Sequence, residues 1–469
     1  MKSLYDELKK YSEKGICSCH MPGHKGSGVQ AMSDEYASID QTEAEGLDDL
    51  HDPQGIIKEA EDHAAKVLGS EETYFLINGS TAGILASVST CVKPGGKLVL
   101  CRGCHKSAYN AMQLGNMRPG YIFSELLTDP VMEDAAKAED VRKALDENPD
   151  AEAVLIVSPT YEGRMSDIGS IAEVVHLRGI PLIVDEAHGA HLSFTESSGS
   201  DAIRWGADLV IQSVHKTLPA PTQTAVISVN GNLVNREKLK KYLSVFQSSS
   251  PSYPLMAMID GCVRYMSENA QGLIPAFHDN FEYLLNRLSG CDKLYVKPSL
   301  EDLAQGRADY GKLLICTDRF GTDGQKLAEI LRNEYLIEPE MMAPGYVLLM
   351  LTVCDTKQVF DKVADAVLGI DKKLPGGQMA HIITSGVPVP VQVMSLRDAF
   401  ESEYEECELE TAAGRVSTEI ICMYPPGSPI LAPGELISEK HVEILKEYTG
   451  LGINIKGIRN YKIRVVKNG

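Results

Sequence analysis

The feature that most constrains the fold is a regular alternation of two apolar patterns between positions 55 and 229. Short runs rich in β-branched residues predict strands at 73–77, 97–101, 153–157, 181–185, 209–213 and 224–229. Segments with apolar residues at helical spacing predict helices at 56–68, 81–92, 136–147 and 168–178. Because strands that alternate with helices form a mainly parallel sheet covered by helices, we predict a large α/β domain over residues 55–270.

The chain beyond position 270 predicts two smaller domains. Its 469 residues exceed what one compact core holds, since single cores stop growing near roughly 250 to 300 residues. A helical stretch at about 254–288 leads into strand and helix patterns at 312–317, 324–334 and 346–352, which predict a small α+β domain over residues 271–371. The segment 372–378 has linker composition, and the Pro- and Gly-rich remainder predicts a carboxy-terminal α+β domain over residues 379–469.

Charge and cysteine content disfavour several classes of function. The formal net charge of -20 disfavours a nucleic-acid partner and creates a field that attracts small cations. Eleven cysteines without an export signal are typical of reduced thiols rather than of a disulfide framework. Because no apolar run approaches the length of a membrane span, we expect a cytoplasmic protein with neither a membrane nor a nucleic-acid partner.

A lysine and an aspartate follow two of the predicted strands. Lys216 comes directly after one buried strand and Asp185 ends another, so both lie at the carboxyl edge of the sheet, where open α/β folds bind ligands. A lysine with apolar surroundings can lose its proton and form a Schiff base with an aldehyde cofactor. A nearby carboxylate suits pyridoxal phosphate (PLP), whose pyridine nitrogen must stay protonated if the ring is to act as an electron sink. Alone, Lys216 is typical of a surface lysine and Asp185 of a helix cap or metal ligand; together with His188 and Ser213 they favour PLP.

A phosphate site is predicted at Asn78-Gly-Ser80-Thr81, where a strand passes into a helix. Free amide groups and the positive dipole end at a helix amino terminus attract anions, and the hydroxyls of Ser80 and Thr81 add donors. By itself the segment is equally well interpreted as an ordinary helix cap. Only its combination with Lys216 and Asp185 favours a phosphate.

The segment Cys101-Arg-Gly-Cys104-His105 matches the attachment pattern of a c-type haem. Haem attachment requires export, which the sequence does not indicate. A zinc site lacks a second ligand pair, because Cys17-Ser-Cys19-His20 is too compact to close a tetrahedron easily. We therefore predict no metal site and interpret His105 as an aromatic plate against a cofactor ring, with the cysteines as incidental thiols.

Seven motifs are spread over nearly the whole chain. They are His20-Met-Pro-Gly-His-Lys-Gly, Cys104-His-Lys-Ser107, Ser158-Pro-Thr-Tyr-Glu-Gly163, Asp185-Glu-Ala-His188, Ser213-Val-His-Lys216, Ser250-Pro-Ser-Tyr-Pro-Leu and Tyr424-Pro-Pro-Gly. Together and in this order they resemble the signatures of the Orn/Lys/Arg decarboxylases, PLP enzymes of fold-type I with the aspartate-aminotransferase-like fold. The chain reaches His20 almost at once, so it resembles the short branch of the family, most like the arginine decarboxylases, without the amino-terminal receiver-like domain of the long enzymes.

The resemblance implies a role for each residue of the site. Lys216 would carry the cofactor, Asp185 would pair with its pyridine nitrogen, and these two with His188 would form the catalytic set. The remaining cofactor contacts would be His105 stacked on the ring, Ala187 and His188 against its other side, and Ser80, Thr81, Ser213 and His215 at the phosphate. Ser248 would reach the phosphate of the neighbouring subunit, which implies a homodimer or higher homo-oligomer with a shared active site. The segment 1–54 would contribute to that site and to the dimer.

The resemblance also implies decarboxylation of a basic amino acid, most of all L-arginine to agmatine and CO2 in polyamine biosynthesis. Lysine and ornithine, which give cadaverine and putrescine, are the alternative substrates. Aminotransferase or lyase chemistry on the same fold is a further alternative, as is a non-catalytic PLP-binding regulator, which the intact Lys216 and Asp185 disfavour. His188 or Lys216 would return a proton to the substrate Cα. The substrate's side-chain cation should meet a carboxylate, for which Glu435, Glu419 and Asp48 are unranked candidates.

Overall fold

The largest element of the computed structural model is a seven-stranded sheet. The structure describes residues 17–19, 48–195, 201–317, 322–375, 388–425 and 427–467. In chain order the strands of the large sheet are β2 (Glu72–Leu76), β3 (Lys97–Cys101), β4 (Arg118–Ile122), β7 (Ala151–Val157), β8 (Leu182–Asp185), β9 (Leu209–Gln212) and β10 (Ala225–Val229). All six predicted strands are therefore present, and β4 is an additional one.

The strand order of this sheet is β2-β10-β9-β8-β7-β3-β4. The strands from β9 through β8, β7 and β3 to β4 pair in parallel, whereas β10 is antiparallel to both of its neighbours, β2 and β9. Most of the Val, Ile and Leu side chains in these strands are fully buried, as expected for a sheet covered on both faces. The predicted mainly parallel α/β sheet is confirmed.

Helices on both sides of the sheet bury apolar stripes against it. They are α1 (Ile56–Leu68), α2 (Gly79–Cys91), α3 (Lys106–Leu114), α4 (Ala138–Glu147), α5 (Ile168–His176), the short α6 (Val214–Thr217) and α7 (Arg236–Phe246). A 3-10 turn covers Ala190–Phe194, and a hairpin pairs β5 (Leu126–Thr128) with β6 (Val131–Glu133). Helix α2 begins two residues earlier than predicted, at Gly79, whose φ of +72° favours glycine.

One long helix, α8 (Tyr253–Leu288), connects the large domain with the small one. Its residues from Tyr253 to Ile274 join the core beside the large sheet, and those from Phe277 to Leu288 join the core of the small domain. The predicted boundary between residues 270 and 271 therefore falls inside a continuous helix.

The small domain is built on a four-stranded antiparallel sheet of order β11-β12-β15-β14. Its elements are β11 (Tyr295–Lys297), α9 (Leu300–Ala304), β12 (Lys312–Cys316), α10 (Gly324–Tyr335), β13 (Ile337–Pro339), β14 (Met341–Ala343), β15 (Tyr346–Met350) and α11 (Lys357–Lys373). Strand β13 pairs in parallel with β1 (Cys17–Cys19) from the amino-terminal segment.

The carboxy-terminal part has its own apolar core around Leu409, Ile437 and Leu445. Its elements are α12 (Leu396–Glu401), β16 (Tyr404–Glu408), a 3-10 turn at Leu409–Thr411, β17 (Ile421–Met423), β18 (Pro429–Leu431), α13 (Glu439–Gly450), β19 (Ile455–Lys456) and β20 (Lys462–Val466). Strand β16 pairs with β20, and β18-β17-β19 form a separate small sheet. The predicted α+β character of this part is confirmed.

Some sequence predictions lie outside the described residues. They concern the motif that begins at His20, most of the segment 1–54, the end of the linker at 376–378, the start of the Pro-rich stretch at 386–387, and Pro426 within the motif at Tyr424. Among the helices of the described ranges, none combines the length and the apolar character that crossing a membrane requires.

Candidate active site

A cavity of about 710 Å³ opens at the carboxyl edge of the large sheet. It lies between the large sheet, the small domain and the segment around Tyr424. The following predicted site residues line it: Ser80, Thr81, His105, Asp185, Ala187, His188, Ser213, His215 and Lys216. The structure thus brings together nine of the ten residues expected to contact the cofactor, drawn from the ends of four strands.

Lys216 and Asp185 face this cavity from neighbouring strands. Asp185 is the last residue of β8, and its Oδ1 accepts a hydrogen bond of 3.2 Å from the backbone N–H of Ala187. Lys216 lies in α6, which follows β9. Burial lowers the pKa of Lys216 against the opposing effect of Asp185, and burial raises the pKa of Asp185 against the effect of Lys216. Burial thereby makes the neutral amine, the form that attacks a carbonyl, easier to reach for Lys216 than for a lysine in water.

His188 stands between two lysines. Its Nε2 is 3.0 Å from Lys216 Nζ, and its Nδ1 is 2.6 Å from the Nζ of Lys312, which enters from β12 of the small domain. The Tyr161 ring meets the imidazole edge-on, with ring centroids 4.6 Å apart. Burial, followed by the two lysine charges, lowers the pKa of His188 well below its ordinary value. The imidazole is therefore neutral in this site.

The amino end of α2 forms the polar end of the cavity. The hydroxyls of Ser80 and Ser213 lie 2.6 Å apart there, although they come from different strand ends. His215 Nδ1 donates to the Thr224 carbonyl at 2.8 Å, which fixes the orientation of the ring. Hydroxyls beside the free amide groups of a helix amino terminus are an arrangement that suits a phosphate.

His105 lines the cavity at the start of α3. Its Nδ1 is 2.9 Å from the Ser107 hydroxyl, and burial lowers its pKa to about 4. The ring is therefore neutral, as a stacking plate should be. Cys101 and Cys104 are buried free thiols, and in the described ranges no group of three or more His, Cys, Asp or Glu side chains is placed to hold a metal ion.

Ser248 does not line the cavity of its own chain. Its side chain is exposed, its hydroxyl donates to the Ser250 carbonyl at 3.1 Å, and its backbone N–H donates to Asn78 Oδ1 at 3.3 Å. Ser248 thus lies beside the start of α2 with its hydroxyl at the surface. Its expected role toward a neighbouring subunit stays a prediction.

The three carboxylates considered for the substrate's cation are all engaged elsewhere. Glu435 is fully buried and forms a two-point ion pair with Arg102, so its selection as a substrate contact was wrong. Glu419 pairs with Arg464 at 2.7 Å. Asp48 accepts backbone hydrogen bonds around the start of α1, which lower its pKa although partial burial opposes them. Sequence reasoning could not anticipate the pairings of Glu435 and Glu419, because their arginine partners lie far away along the chain. The partners of Asp48 are nearby backbone groups.

Several polar residues of the site were given no role from the sequence, among them Tyr161, Lys312, Glu338 and Glu340. Tyr161, Glu338 and Glu340 line the cavity, and Lys312 lies directly behind His188. The Tyr161 hydroxyl donates to Glu340. A signal for two of them was present: Tyr161 belongs to a quoted motif, and Lys312 is a charged residue at the start of the otherwise apolar run Lys312-Leu-Leu-Ile-Cys316.

Comparison with known families identifies the family of this chain. The model described as "Orn/Lys/Arg decarboxylase, major domain" matches residues 2–280, and the model of the C-terminal domain of the same family matches residues 379–451. The chain belongs to the Orn/Lys/Arg decarboxylase family. The resemblance seen in the motifs is thereby confirmed, and membership places the chain among amino-acid decarboxylases.

Similar proteins of this family extend over the whole chain. The arginine decarboxylase of Bacillus subtilis is 31% identical over 99% of this chain and 97% of its own length. That of Halalkalibacterium halodurans is 33% identical over 99% of this chain and 96% of its own length. The crystal structure of the lysine decarboxylase of Francisella novicida superposes with a TM-score of 0.76 at 19% identity, covering 90% of this chain and 73% of that one. This likeness, together with the mainly parallel seven-stranded sheet, confirms the predicted fold class.

Proposed function

We propose that this protein is a PLP-dependent arginine decarboxylase, which converts L-arginine to agmatine and CO2. The observation that carries the proposal is the meeting of Lys216, Asp185 and His188 at one end of a cavity whose other end is the hydroxyl-lined start of α2. Family membership supports decarboxylation. Relatives named arginine decarboxylase, similar over nearly their whole length, support arginine ahead of lysine or ornithine.

The residues present fit PLP. A cavity of about 710 Å³ suits a cofactor together with an amino acid, since ligand pockets commonly measure roughly 300 to 1,000 Å³. Ser80, Thr81, Ser213 and His215 would hold the phosphate, and His105 and Ala187 would flank the ring. When bound, PLP supplies an electron sink for the electron pair that the departing α-carboxylate leaves behind.

Each catalytic side chain then has a distinct task. Asp185 would hold a negative charge against the pyridine nitrogen, where low dielectric strengthens the interaction. Lys216, whose pKa burial lowers, would hold the cofactor through its aldehyde group. His188 would orient groups at Lys216 Nζ through its Nε2, which is 3.0 Å away.

Recognition of the substrate's cation is proposed for Glu340. It lines the cavity from the small domain, and Tyr161 fixes its carboxylate by donating to it. The other carboxylate on this side, Glu338, is already paired with Arg332 at 2.7 Å. A guanidinium can bind two carboxylate oxygens in a planar fork, which favours arginine at such a site. Glu340→Gln should raise KM for arginine more than it changes kcat.

The proposal extends to the assembly and its setting. We propose a homodimer or higher homo-oligomer in which Ser248 and the segment 1–54 complete the neighbouring subunit's site. The exposed Ser248 hydroxyl supports this arrangement. We further propose a role in polyamine biosynthesis in the cytoplasm, where the free thiols of the described residues would stay reduced.

The deciding experiment is an assay of purified, PLP-loaded protein with arginine, lysine and ornithine offered separately. CO2 and agmatine formed fastest from arginine, and abolished in Lys216→Ala, are the expected result. Faster release of cadaverine or putrescine would change the assigned substrate and leave the decarboxylase assignment in place. Amino-group transfer without CO2 would favour the aminotransferase or lyase alternative, and no turnover despite bound PLP would favour a non-catalytic regulator.

A further inference from the structure

Lys312 is an unusually buried lysine that the proposed chemistry does not otherwise use. Its side chain is 1% exposed in the core of the interface between the small and large domains. The Nζ atom lies 2.6 Å from His188 Nδ1 and 3.4 Å from Met350 Sδ. Within the described ranges, no carboxylate forms an ion pair with it. The shortest polar contact of the buried Lys312 Nζ is thus with an imidazole nitrogen, His188 Nδ1.

The donor and acceptor chemistry of these groups determines which of their nitrogen atoms carry the protons. An ammonium only donates, and a neutral imidazole has one nitrogen that donates and one that accepts. If Lys312 donates to Nδ1, the imidazole proton must reside on Nε2, which faces Lys216. An Nε2–H can donate to Lys216 Nζ only when Lys216 is a neutral amine. The shorter of the two contacts, 2.6 Å to Lys312 against 3.0 Å to Lys216, marks Lys312 as the ammonium, because charge-assisted hydrogen bonds are the shorter ones.

We propose that Lys312 is a positioning residue that fixes His188 as the neutral tautomer with its proton on Nε2. Within the function proposed above, His188 then serves as an oriented hydrogen-bond donor at Lys216 Nζ. It does not serve as a proton store, because a second proton on the ring would displace the Lys312 hydrogen bond. The proton returned to the substrate Cα is thereby assigned to Lys216.

The surroundings of Lys312 support an ammonium at neutral pH. Burial lowers its pKa to about 8, which still leaves it charged under neutral conditions. Three carboxyl groups, Asp309, Glu340 and Glu162, favour its charge, and a charge on Lys216 would oppose it. The remaining neighbours are His188, the Met350 sulfur and the Tyr161 ring, whose centroid lies 5.5 Å from Nζ.

The first test observes the tautomer directly, without substrate and without cofactor. Protein with ¹⁵N-labelled histidine is examined by NMR, and the His188 signals are assigned by their loss in His188→Gln. We expect a protonated Nε2 and an unprotonated Nδ1 at neutral pH, with the Nδ1 shift changing as Lys312 loses its proton near pH 8. A proton on Nδ1, or an imidazolium, would overturn the proposal, and the measurement on the wild-type protein is enough to show it.

The second test separates positioning from packing. Lys312→Met keeps an unbranched chain but removes the donor, and Met350→Leu is the matched control because it changes the other contact of Nζ at similar volume. We expect Lys312→Met to mix the His188 tautomers and to lower kcat roughly 10- to 100-fold, as loss of groups that orient metal-bound histidines does. Met350→Leu should keep both the tautomer and kcat. An unchanged tautomer in Lys312→Met, or equal loss of kcat in both variants, would refute the assignment.

These readouts also separate the inference from the proposed function. If the loaded protein releases no CO2 but the tautomer depends on Lys312, the proposed reaction fails and the positioning role stands. If CO2 is released but the tautomer is independent of Lys312, only the positioning role fails.

Discussion

Arg102 and Glu435, 333 positions apart, form a two-point ion pair with both side chains buried. The distances are 2.7 Å from Arg102 Nη1 to Glu435 Oε1 and 2.9 Å from Nη2 to Oε2, and the side chains are 5% and 0% exposed. The Arg102 guanidinium also donates to the Ile430 carbonyl at 3.1 Å. The pair therefore fastens the carboxy-terminal domain to the loop that leads to His105.

The first prediction concerns this pair. Glu435→Gln leaves a buried guanidinium without its counter-charge, so we expect the free energy of unfolding to fall by about 3 to 5 kcal/mol. Urea denaturation measures the change. In the matched control Glu403→Gln, which removes the exposed partner of Lys467, the loss should stay below about 1 kcal/mol. Similar losses in both variants would contradict the fastening role.

The second prediction concerns the proposed partner of the pyridine nitrogen. Asp185→Asn keeps an acceptor for the Ala187 N–H but removes the charge, so kcat should fall roughly 10²- to 10³-fold while the visible absorbance of bound PLP persists. Asp201→Asn is the control, because Asp201 is also a buried acid that accepts a backbone hydrogen bond, yet it lies outside the cavity. Near-normal turnover in Asp185→Asn would remove Asp185 from the catalytic set.

The third prediction is a pH dependence of stability. Burial raises the pKa of Glu61 to about 8, so the folded protein retains a proton that the unfolded chain releases near its ordinary value of about 4.3. Stability should therefore decrease between those two pH values, by roughly 3 to 5 kcal/mol for this group. Glu61→Gln retains the acceptor for the Phe75 N–H and should remove that decrease.

The measurement is the difference in free energy of unfolding between Glu61→Gln and wild type at about pH 5 and about pH 9. The difference should grow with pH in favour of the variant. Glu59→Gln, an exposed position on the same helix, should give nearly the same difference at both values. A flat profile for Glu61→Gln would mean that Glu61 is ionised in the folded protein.

The fourth prediction tests the shared site. Ser248→Glu should weaken PLP binding by placing a negative charge beside the phosphate of the neighbouring subunit. Mixed with Lys216→Ala during refolding, it should restore activity to about one quarter of the wild-type level, because random pairing gives half mixed dimers with one intact site each. A mixture of Lys216→Ala with Lys216→Met should restore none. Absence of recovery in confirmed mixed oligomers would place Ser248 outside the shared site.

The large sheet could be predicted because its strands are short apolar runs with clear ends. Five of the six predicted strands match the observed ones to within one residue at each end, and β7 begins two residues earlier, at Ala151. Strand β4 was missed, since Arg118-Pro-Gly-Tyr-Ile122 contains two residues that weaken strands, and only its place at the edge of the sheet tolerates them. Apolar periodicity thus located the interior of the sheet and its β2 edge, but not its β4 edge.

The large-domain half of the site could be predicted because its residues follow strand ends. Lys312 stands out in the sequence as a charged residue in an apolar run, but its place in the site and that of Glu340 could not be predicted. Their approach to His188 and Tyr161 depends on how the small domain packs, which no local pattern records. For the same reason Glu435 was kept among the candidates for the substrate's cation, because no sequence pattern pairs it with the buried Arg102. Contacts across domain interfaces set the limit of the prediction.

The position of β2 has a consequence for the order in which the chain folds. Strand β2 is the earliest strand of the large sheet in the chain, yet in that sheet its neighbour is β10, the latest. Gly79 and Ser80 follow β2 after only two residues. A nascent chain must therefore extend well past Val229 before β2 can dock and the start of α2 takes its place. Because contacts so distant in sequence form slowly, we expect the proposed phosphate site to form late in folding and to be absent from amino-terminal fragments that end before β10.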